Sequence, residues 1–464
     1  MTDRNLPLAL CLGLMLSGCA TLAPPLPQAQ PQLPQQWPGE VDAVSDGVHA
    51  ADLGWREFFV DARLQQLIAQ ALENNRDLRV AVLNVERARA QHRIRQADRV
   101  PNLGGGVQMQ RSGGNEIAEE TVYSASAGVS GFELDLFGRV RSLSEAALQQ
   151  YFAQAENRRA AHIALVAEVA NVYLALATDH ERLRIAQATL DTYEQSQRLT
   201  EQRHEFGAVS GLEVAQARTQ TETARAAAAG FRGAVAQDRN LLQLLVGAPL
   251  DPALLPQGMS DVAGAAPVPF GLPADMLLRR PDVAAAERVL RGANANIGAA
   301  RAAFFPSITL TGDAGHASTE LGNLFDGGLR WSFIPRISIP IFSGGRLRAN
   351  LAMSQADRDI ALANYELAIQ NGFREVADGL QLGTALVEQR VARERLLEAA
   401  RTAERLSQAR YQAGRDSYLV RLDAQRTLYN AEQGLLGARQ QEQANRIALY
   451  RALGGGWVEQ GSTP

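Results

Sequence analysis

Two periodicities alternate along this chain and mark out its elements in order. Apolar positions recur at helical spacing from Asp61 to about Arg99, and again from about Pro273 to Phe304. Pro281 stands where a proline suits a first helical turn, and Pro101 and Pro306 stop the two segments. After each of those prolines the period drops to two. Ile308, Leu310 and Gly312 alternate with Ser307, Thr309, Thr311 and Asp313. Past the turn residues Gly322 to Gly328, Trp331, Phe333, Ile337, Ile339 and Ile341 alternate with Arg330, Ser332, Arg336 and Ser338. A fainter version pairs Tyr123, Ala125, Ala127 and Val129 with Ser124, Ser126 and Ser130, behind the glycine-rich stretch from Gly104 to Gly114. One apolar and one polar, partly charged face is the pattern of a transmembrane barrel strand, and a soluble hairpin on a core would alternate in the same way. The charges of Arg330 and Arg336 and the export signal described below favour the barrel.

The rest reads as helix. From about Ser142 to Phe206 there is no proline, and Leu176, Leu183 and Leu190 fall seven apart as in a coiled-coil seam. Gly207 breaks this helix, Ser210 with Glu213 forms a capping-box pattern that restarts it, and Gly247-Ala248-Pro249 ends it. A second helix runs from about Leu347 to Ala413, turns at Gly414, is capped at Ser417 and continues to Gly454. Helices of this length are rods of about 90 Å.

These elements are written twice. An offset of 207 pairs Gly138 with Gly345, Glu168-Val169-Ala170 with Glu375-Val376-Ala377, Gly207 with Gly414 and Ser210 with Ser417; upstream it is 205, pairing Asp77 with Asp282 and Pro101 with Pro306. The expected first repeat is 61–257, with a strand hairpin at about 101–137 and a helical hairpin at 142–247. The second is 258–464, with a strand hairpin at about 306–342 and a helical hairpin at 347–453. Four strands cannot close a barrel, since the smallest bilayer barrels need about eight. Unpaired strand edges in lipid cost several kcal/mol per group, so membrane strands here require an oligomer.

Composition narrows the chemistry. A net charge of −4 on 464 residues gives no footprint for nucleic acid. The chain has no lysine, which removes Schiff-base chemistry and the phosphate-cradling lysine of nucleotide-binding loops. The 6 histidines show no metal-ligand spacing and no nucleophile constellation appears, so neither an enzyme nor a metal site is expected. The N-terminus reads as an export signal over 1–18: Arg4, an apolar run from Leu6 to Leu16, then Leu16-Ser17-Gly18-Cys19. Leu-Ser-Gly-Cys matches a bacterial lipobox, which would make Cys19 a lipidated mature N-terminus; a plain signal peptide containing a cysteine is the alternative. Residues 19–60, rich in proline and glutamine from Pro24 to Pro38, are then expected to be a tether.

Three segments stand out: Gly131-Phe-Glu-Leu-Asp-Leu-Phe-Gly-Arg139, Arg279-Arg-Pro-Asp-Val283 with Ala286-Glu287, and Ala299-Ala-Arg-Ala-Ala-Phe-Phe-Pro306. With the two given next, they resemble the TolC-type outer membrane factor family in its lipoprotein, NodT/OprM-like branch. The longest is Tyr411-Gln-Ala-Gly-Arg-Asp-Ser-Tyr-Leu-Val-Arg-Leu-Asp-Ala-Gln-Arg-Thr-Leu-Tyr-Asn430, and Ala452-Leu-Gly-Gly-Gly-Trp457 closes the match. The resemblance implies a mainly α fold with a transmembrane β-barrel sector, built as a homotrimer with twelve strands on a twelve-helix periplasmic α-barrel. It also implies a periplasmic adaptor and an inner-membrane RND-type pump as partners, with outer membrane lipid around the barrel. No cofactor beyond the lipid on Cys19 is implied.

The same resemblance assigns roles at the helix turns. Gly207, Val209, Ser210, Gly414, Asp416 and Ser417 would be the tips that meet the adaptor. Asp423 matches the family's pore-facing aspartate, Leu419 its apolar constriction, and Arg426 is spaced to partner Asp423 or a neighbouring chain's carboxylate. Glu213 and Tyr411 match an acid and a tyrosine that tie tip helices together. Val420 stands where TolC has a second pore aspartate, and Asp416 where it has a locking arginine, so a gate of Leu419, Asp423 and Arg426 is expected in place of the TolC lock. The expected function is the passive outer membrane exit duct of a multidrug-type efflux system. A duct for type I protein secretion or metal efflux, or a non-conducting periplasm-spanning lipoprotein, are the alternatives.

Overall fold

The computed structural model describes residues 21–34, 37, 50–115, 117–262, 264–266 and 278–458. The expected signal at 1–18 and Cys19 lie outside the described residues. In chain order the elements are α1 (Trp55–Phe58), α2 (Ala62–Asn74), α3 (Arg76–Ala97), β1 (Leu103–Gly114), β2 (Ile117–Leu134), α4 (Arg139–Glu205), α5 (Gly211–Val246), α6 (Pro281–Ala302), β3 (Ser307–Ser318), β4 (Arg330–Ser338), α7 (Arg346–Gln412) and α8 (Tyr418–Ala452). The chain forms two compact units, one of Met1–Pro31, Leu83–Glu156 and Ala284–Ala368, the other of Gln32–Val82, Asn157–Val283 and Ile369–Pro464. Each unit draws on both repeats. The stretches 61–257 and 258–464 are therefore repeats of sequence and not bodies of packing: a two-stranded hairpin is marginal alone, and pairing the two hairpins makes one sheet.

That sheet organises the first unit. It is antiparallel with strand order β1-β2-β3-β4. Cross-strand partners line up the apolar positions: Leu103, Val129, Gly312 and Phe333 in one row, Gly105, Ala127, Ala314 and Trp331 in the next, and Leu134, Ile308 and Ile337 nearer the other end. The opposite face carries Ser126 beside Gly315, Asp313 hydrogen-bonded by Ser332, and Glu133, Thr309 and Arg336 in register. β2 would lose its alternation after Val129, because Phe132 and Leu134 have the opposite parity. A register shift between Val129 and Phe132, at Gly131 with φ of 65°, inserts one extra residue and returns both side chains to the apolar face. The expected hairpin at about 101–137 holds both β1 and β2, and the glycine-rich stretch is β1 itself. β4 is shorter than the expected hairpin at 306–342: it stops at Ser338, with Ile339 and Ile341 beyond it, because Pro340 has no N–H to give a ladder.

The Gly131–Arg139 segment is the junction from sheet to helix. Glu133 accepts two hydrogen bonds from Arg139 at 2.8 and 2.5 Å. Asp135 accepts from the backbone N–H groups of Val140 and Arg141 at 3.1 and 2.7 Å, capping α4, and Gly138 turns the chain at φ of 73°. The expected tether also proves to be structured over residues 21–31. Leu22 and Pro24 carbonyls accept from Arg301 (3.1 Å) and Asn294 (2.8 Å) on α6, and the Gln30 N–H donates to Glu366 at 3.0 Å.

The second unit is helical. The segment expected as one helix over Asp61–Arg99 breaks at Asn75, whose amide donates to the Leu245 carbonyl and whose oxygen accepts from Leu78 N–H, both at 2.9 Å. Asp61 caps α2 by accepting from Arg63 N–H, and the Tyr173 hydroxyl donates to the same carboxylate at 2.9 Å. The core gathers Trp55, Phe58, Ile68, Tyr173, Leu242 and Tyr450. Phe58 stacks on Tyr450 at 3.9 Å between centroids. α4 is the one helix among the described residues long and apolar enough to cross a membrane, yet its Val166, Val169, Tyr173 and Leu176 are spent inside this core. Beyond Leu176, which is buried, the coiled-coil seam leaves the leucine spacing. Leu183 and Leu190 are half-buried, whereas Ala186, Tyr193 and Thr200, also seven apart, are buried. Arg280, nearly fully buried, fastens the start of the second repeat: it donates to the Ala452 carbonyl (2.6 Å), to both oxygens of Asp282 (3.0 and 2.7 Å) and to Glu375 (2.9 Å). Pro281 then occupies the first position of α6, as expected.

Candidate gate at the helix turns

The α4–α5 and α7–α8 turns belong to the helical unit and repeat one geometry. Gly207 and Gly414 take left-handed φ of 73° and 68°. In the first turn Gly207 and Ala208 N–H groups donate to the carbonyls of His204 and Arg203, both at 2.8 Å; in the second, Gly414 and Arg415 donate to Tyr411 and Arg410 at 3.0 and 2.9 Å. These are paired Schellman closures, which need a residue without a Cβ at the left-handed position. Ser210 then caps α5, its hydroxyl accepting from Glu213 N–H at 3.3 Å. Ser417 has the same extended N-cap backbone, but its hydroxyl makes no cap bond, so the expected second cap is one of backbone shape alone.

Side chains then make the two turns different. In the first, His204 Nδ1 lies 2.9 Å from the Val209 carbonyl. In the second, Arg410 holds Asp416 through two bonds of 2.7 and 2.8 Å, and the guanidinium keeps that carboxyl below its ordinary pKa. The counterparts at the 207 offset are Arg203 and Val209, which cannot form such a pair. Arg203 instead donates to the Tyr411 hydroxyl at 3.4 Å. The Tyr411 ring lies 5.9 Å from that of Tyr418, with the Arg421 guanidinium 5.2 Å above it. Tyr418 and Leu422 are buried against Ala217. Burial pushes the Tyr418 phenol above its usual pKa, with a hydrogen bond to Ser196 opposing the shift.

Leu419, Asp423 and Arg426 are all exposed on the single chain, Leu419 at 62%. The structure does not join Asp423 to Arg426. Among the described residues no ion pair links them, and Arg426 instead lines a groove of about 220 Å³ with Tyr193, Gln220, Thr223 and Tyr429. Three residues along a helix is within reach, but Arg426 is turned toward the α4 and α5 side chains. Tyr411 and Glu213 are likewise not bonded to each other: Tyr411 is engaged by Arg203, and Glu213 contributes its N–H to Ser210. Sequence reading passed over Phe206 and Leu212, which project at 87% and 67% exposure from the first turn. Their signal was a large apolar residue on either side of a helix-breaking glycine, where no core could cover it.

Comparison with known proteins agrees with this architecture. The outer membrane efflux protein family model matches twice, over residues 67–248 and 272–455. The two matches start 272 − 67 = 205 residues apart and end 455 − 248 = 207 apart, the offsets of the internal repeat. The chain belongs to the outer membrane efflux protein family. It is 46% identical to the toluene efflux pump outer membrane protein TtgC of Pseudomonas putida, over 99% of this chain and 97% of that one. It is 42% identical to the probable outer membrane lipoprotein SilC of Salmonella typhimurium, over 96% and 97%. Among solved structures, the open state of the Neisseria gonorrhoeae MtrE outer membrane channel superposes with a TM-score of 0.88 at 38% identity, covering 96% of this chain and all of that one. This efflux protein is thus an outer membrane channel component and not an enzyme, with a mainly α fold carrying a β-barrel sector.

Proposed function

We propose that the protein is a homotrimeric exit duct for small apolar molecules in a tripartite pump. Each chain supplies four strands of a twelve-stranded barrel, and its helical unit lines a periplasmic tunnel. The observation that carries this reading is the open sheet: among the described residues β1 pairs with β2 alone and β4 with β3 alone, while one face is apolar over much of the sheet, from the row of Gly105, Ala127, Ala314 and Trp331 to that of Leu134, Ile308 and Ile337. Two free edges in lipid would leave backbone groups unsatisfied at several kcal/mol each, and neighbouring copies remove both edges at once. The turns at Gly207 and Gly414 are the adaptor-contacting tips, an RND-type inner-membrane pump supplies the energy, and Cys19 carries a lipid. Leu419 and Asp423 of three chains form the closed constriction, with any partner of Asp423 coming from another chain.

Relatives at 42–46% identity are named for toluene, solvent and antibiotic efflux pumps, which favours apolar small molecules over proteins or metal ions as cargo. The test has two arms. Reconstituted wild-type protein should run as a heat-resistant trimer and pass single-channel current in planar bilayers, with Asp423→Ala raising conductance. Monomers without current would sink the duct, and unchanged conductance in Asp423→Ala would sink the gate assignment. Deletion in the native host should sensitise cells to toluene and antibiotics; sensitivity to metal ions alone would replace the cargo class.

A further inference from the structure

The stretch from Thr21 to Gln30 is laid on the first unit by a built cradle, and the cradle aims the chain at an uncovered apolar shelf. Asn294, Gly298 and Arg301 share one face of α6, at spacings of four and three. Asn294 and Arg301 grip the Pro24 and Leu22 carbonyls. Gly298 between them provides the room: a Cβ there would stand 2.8 Å from the Ser142 hydroxyl oxygen of α4, 2.9 Å from the Ala23 nitrogen and 3.2 Å from its Cα. Upstream, the Thr21 Cα lies 3.9 Å from where a Cβ on Gly138 would be. Phe137 precedes that glycine and stacks on Phe305 at 4.6 Å and 18°. Leu136, Phe137 and Phe305 share one cavity of about 270 Å³ with Glu133, Asp135, Arg139 and Arg346, of which Glu133, Asp135 and Arg139 are already hydrogen-bonded, and Leu136 and Phe305 remain 44% and 42% exposed. Nothing among the described residues covers them. They mark the foot of the sheet, where β2 gives way to α4 and α6 to β3.

We propose that this shelf is the seat of the acyl chains carried by Cys19, with Gly298 and Asn294 as the residues that position them. One residue separates Cys19 from Thr21, so covalent geometry keeps the Cys19 Cα within about 7 Å of the Thr21 Cα, the point where the described chain reaches Gly138. With the backbone pinned from Leu22 onward, the local concentration of acyl chain at the shelf is high without any new contact. Apolar area at a membrane boundary is also the surface such chains cover most favourably. The lipid therefore serves orientation of the barrel foot more than attachment, which the strands already provide. This seat rests on the lipidation reading given above.

The test uses full-length protein made in cells fed an alkyne-bearing palmitate. A photoreactive phenylalanine analogue replaces Phe305, or, as a control, the exposed Trp331 near the other end of the sheet. After irradiation, mass spectrometry looks for a bridge between the alkyne-labelled N-terminal peptide and the peptide holding the analogue. The expected bridge forms at 305 at least fivefold more than at 331. It should fall to the level at 331 in Gly298→Val and drop partially in the milder Asn294→Ala, with alkyne incorporation unchanged in both. A labelled protein with equal bridging at 305 and 331, or with bridging indifferent to both variants, overturns the seat alone. A mature protein with no alkyne label overturns lipidation and the seat together.

Discussion

His162 should make the helical unit acid-labile in a defined pH window. Its ring lies 5.0 Å from that of Trp457, and the Arg158 guanidinium sits over the same indole at 5.3 Å. Nε2 has no hydrogen-bond partner among the described residues. Burial, and secondarily the Arg158 charge, push the imidazole pKa down from 6.5 to about 4. An unfolded chain therefore binds a proton below about pH 6.5 that the folded chain refuses until about pH 4, so stability falls as pH drops between those values. At roughly 1.4 kcal/mol per unit, the loss reaches about 2.5 kcal/mol per chain by pH 4.5. The assay is the denaturation midpoint of the helical signal at several pH values from 7.5 to 4.5, for the purified wild type and His162→Gln. The variant lacks the proton site, so its curve should lose less stability on acidification, by about 2.5 kcal/mol across that range. Parallel pH profiles would refute the reasoning, because they would mean that the imidazole protonates alike in both states.

Asp238 should act with the opposite sign. Burial first, and then the Asp179 charge, raise its carboxyl to about 6; ionised at neutral pH it costs stability, so Asp238→Asn should melt higher than wild type at pH 7.5, with the gain vanishing below about pH 4. Arg280→Ala strands the Asp282 and Glu375 carboxylates and the Ala452 carbonyl, and should cost about 3–5 kcal/mol, with Arg280→Lys recovering part of it; a loss under about 1 kcal/mol in urea unfolding would show the network to be idle. Arg410→Ala and Asp416→Ala should each increase proteolytic nicking at the α7–α8 turn, and the double variant should be no worse than either; additive effects would mean the pair is not coupled. Lowering the pH below the ordinary carboxylate range should mimic Asp416→Ala, since protonation releases Arg410.

Much of this protein is determined by its sequence alone. The duplication, the change of period at Pro101 and Pro306, and the helix breaks at Gly207 and Gly414 are all local signals: each depends on backbone sterics or side-chain alternation within a few residues. The need for an oligomer follows from the same source, since four strands cannot close. Tertiary structure decided what depends on partners distant in the chain. The parity of Phe132 and Leu134 is rescued by a bulge whose partner strand lies in the other repeat. Beyond Leu176 the buried helical seam follows Ala186, Tyr193 and Thr200 instead of Leu183 and Leu190, because the neighbouring helices, not the leucine spacing, decide which face is covered. Arg426, spaced correctly for Asp423, turns to Tyr193 because a helix face offers several neighbours and only packing chooses among them. The proline-rich leader looked like a tether because composition reports the absence of self-structure; it cannot report that Asn294, Gly298 and Arg301, some 270 residues away, hold it in place. Local sterics wrote the elements; long-range contacts chose which faces meet.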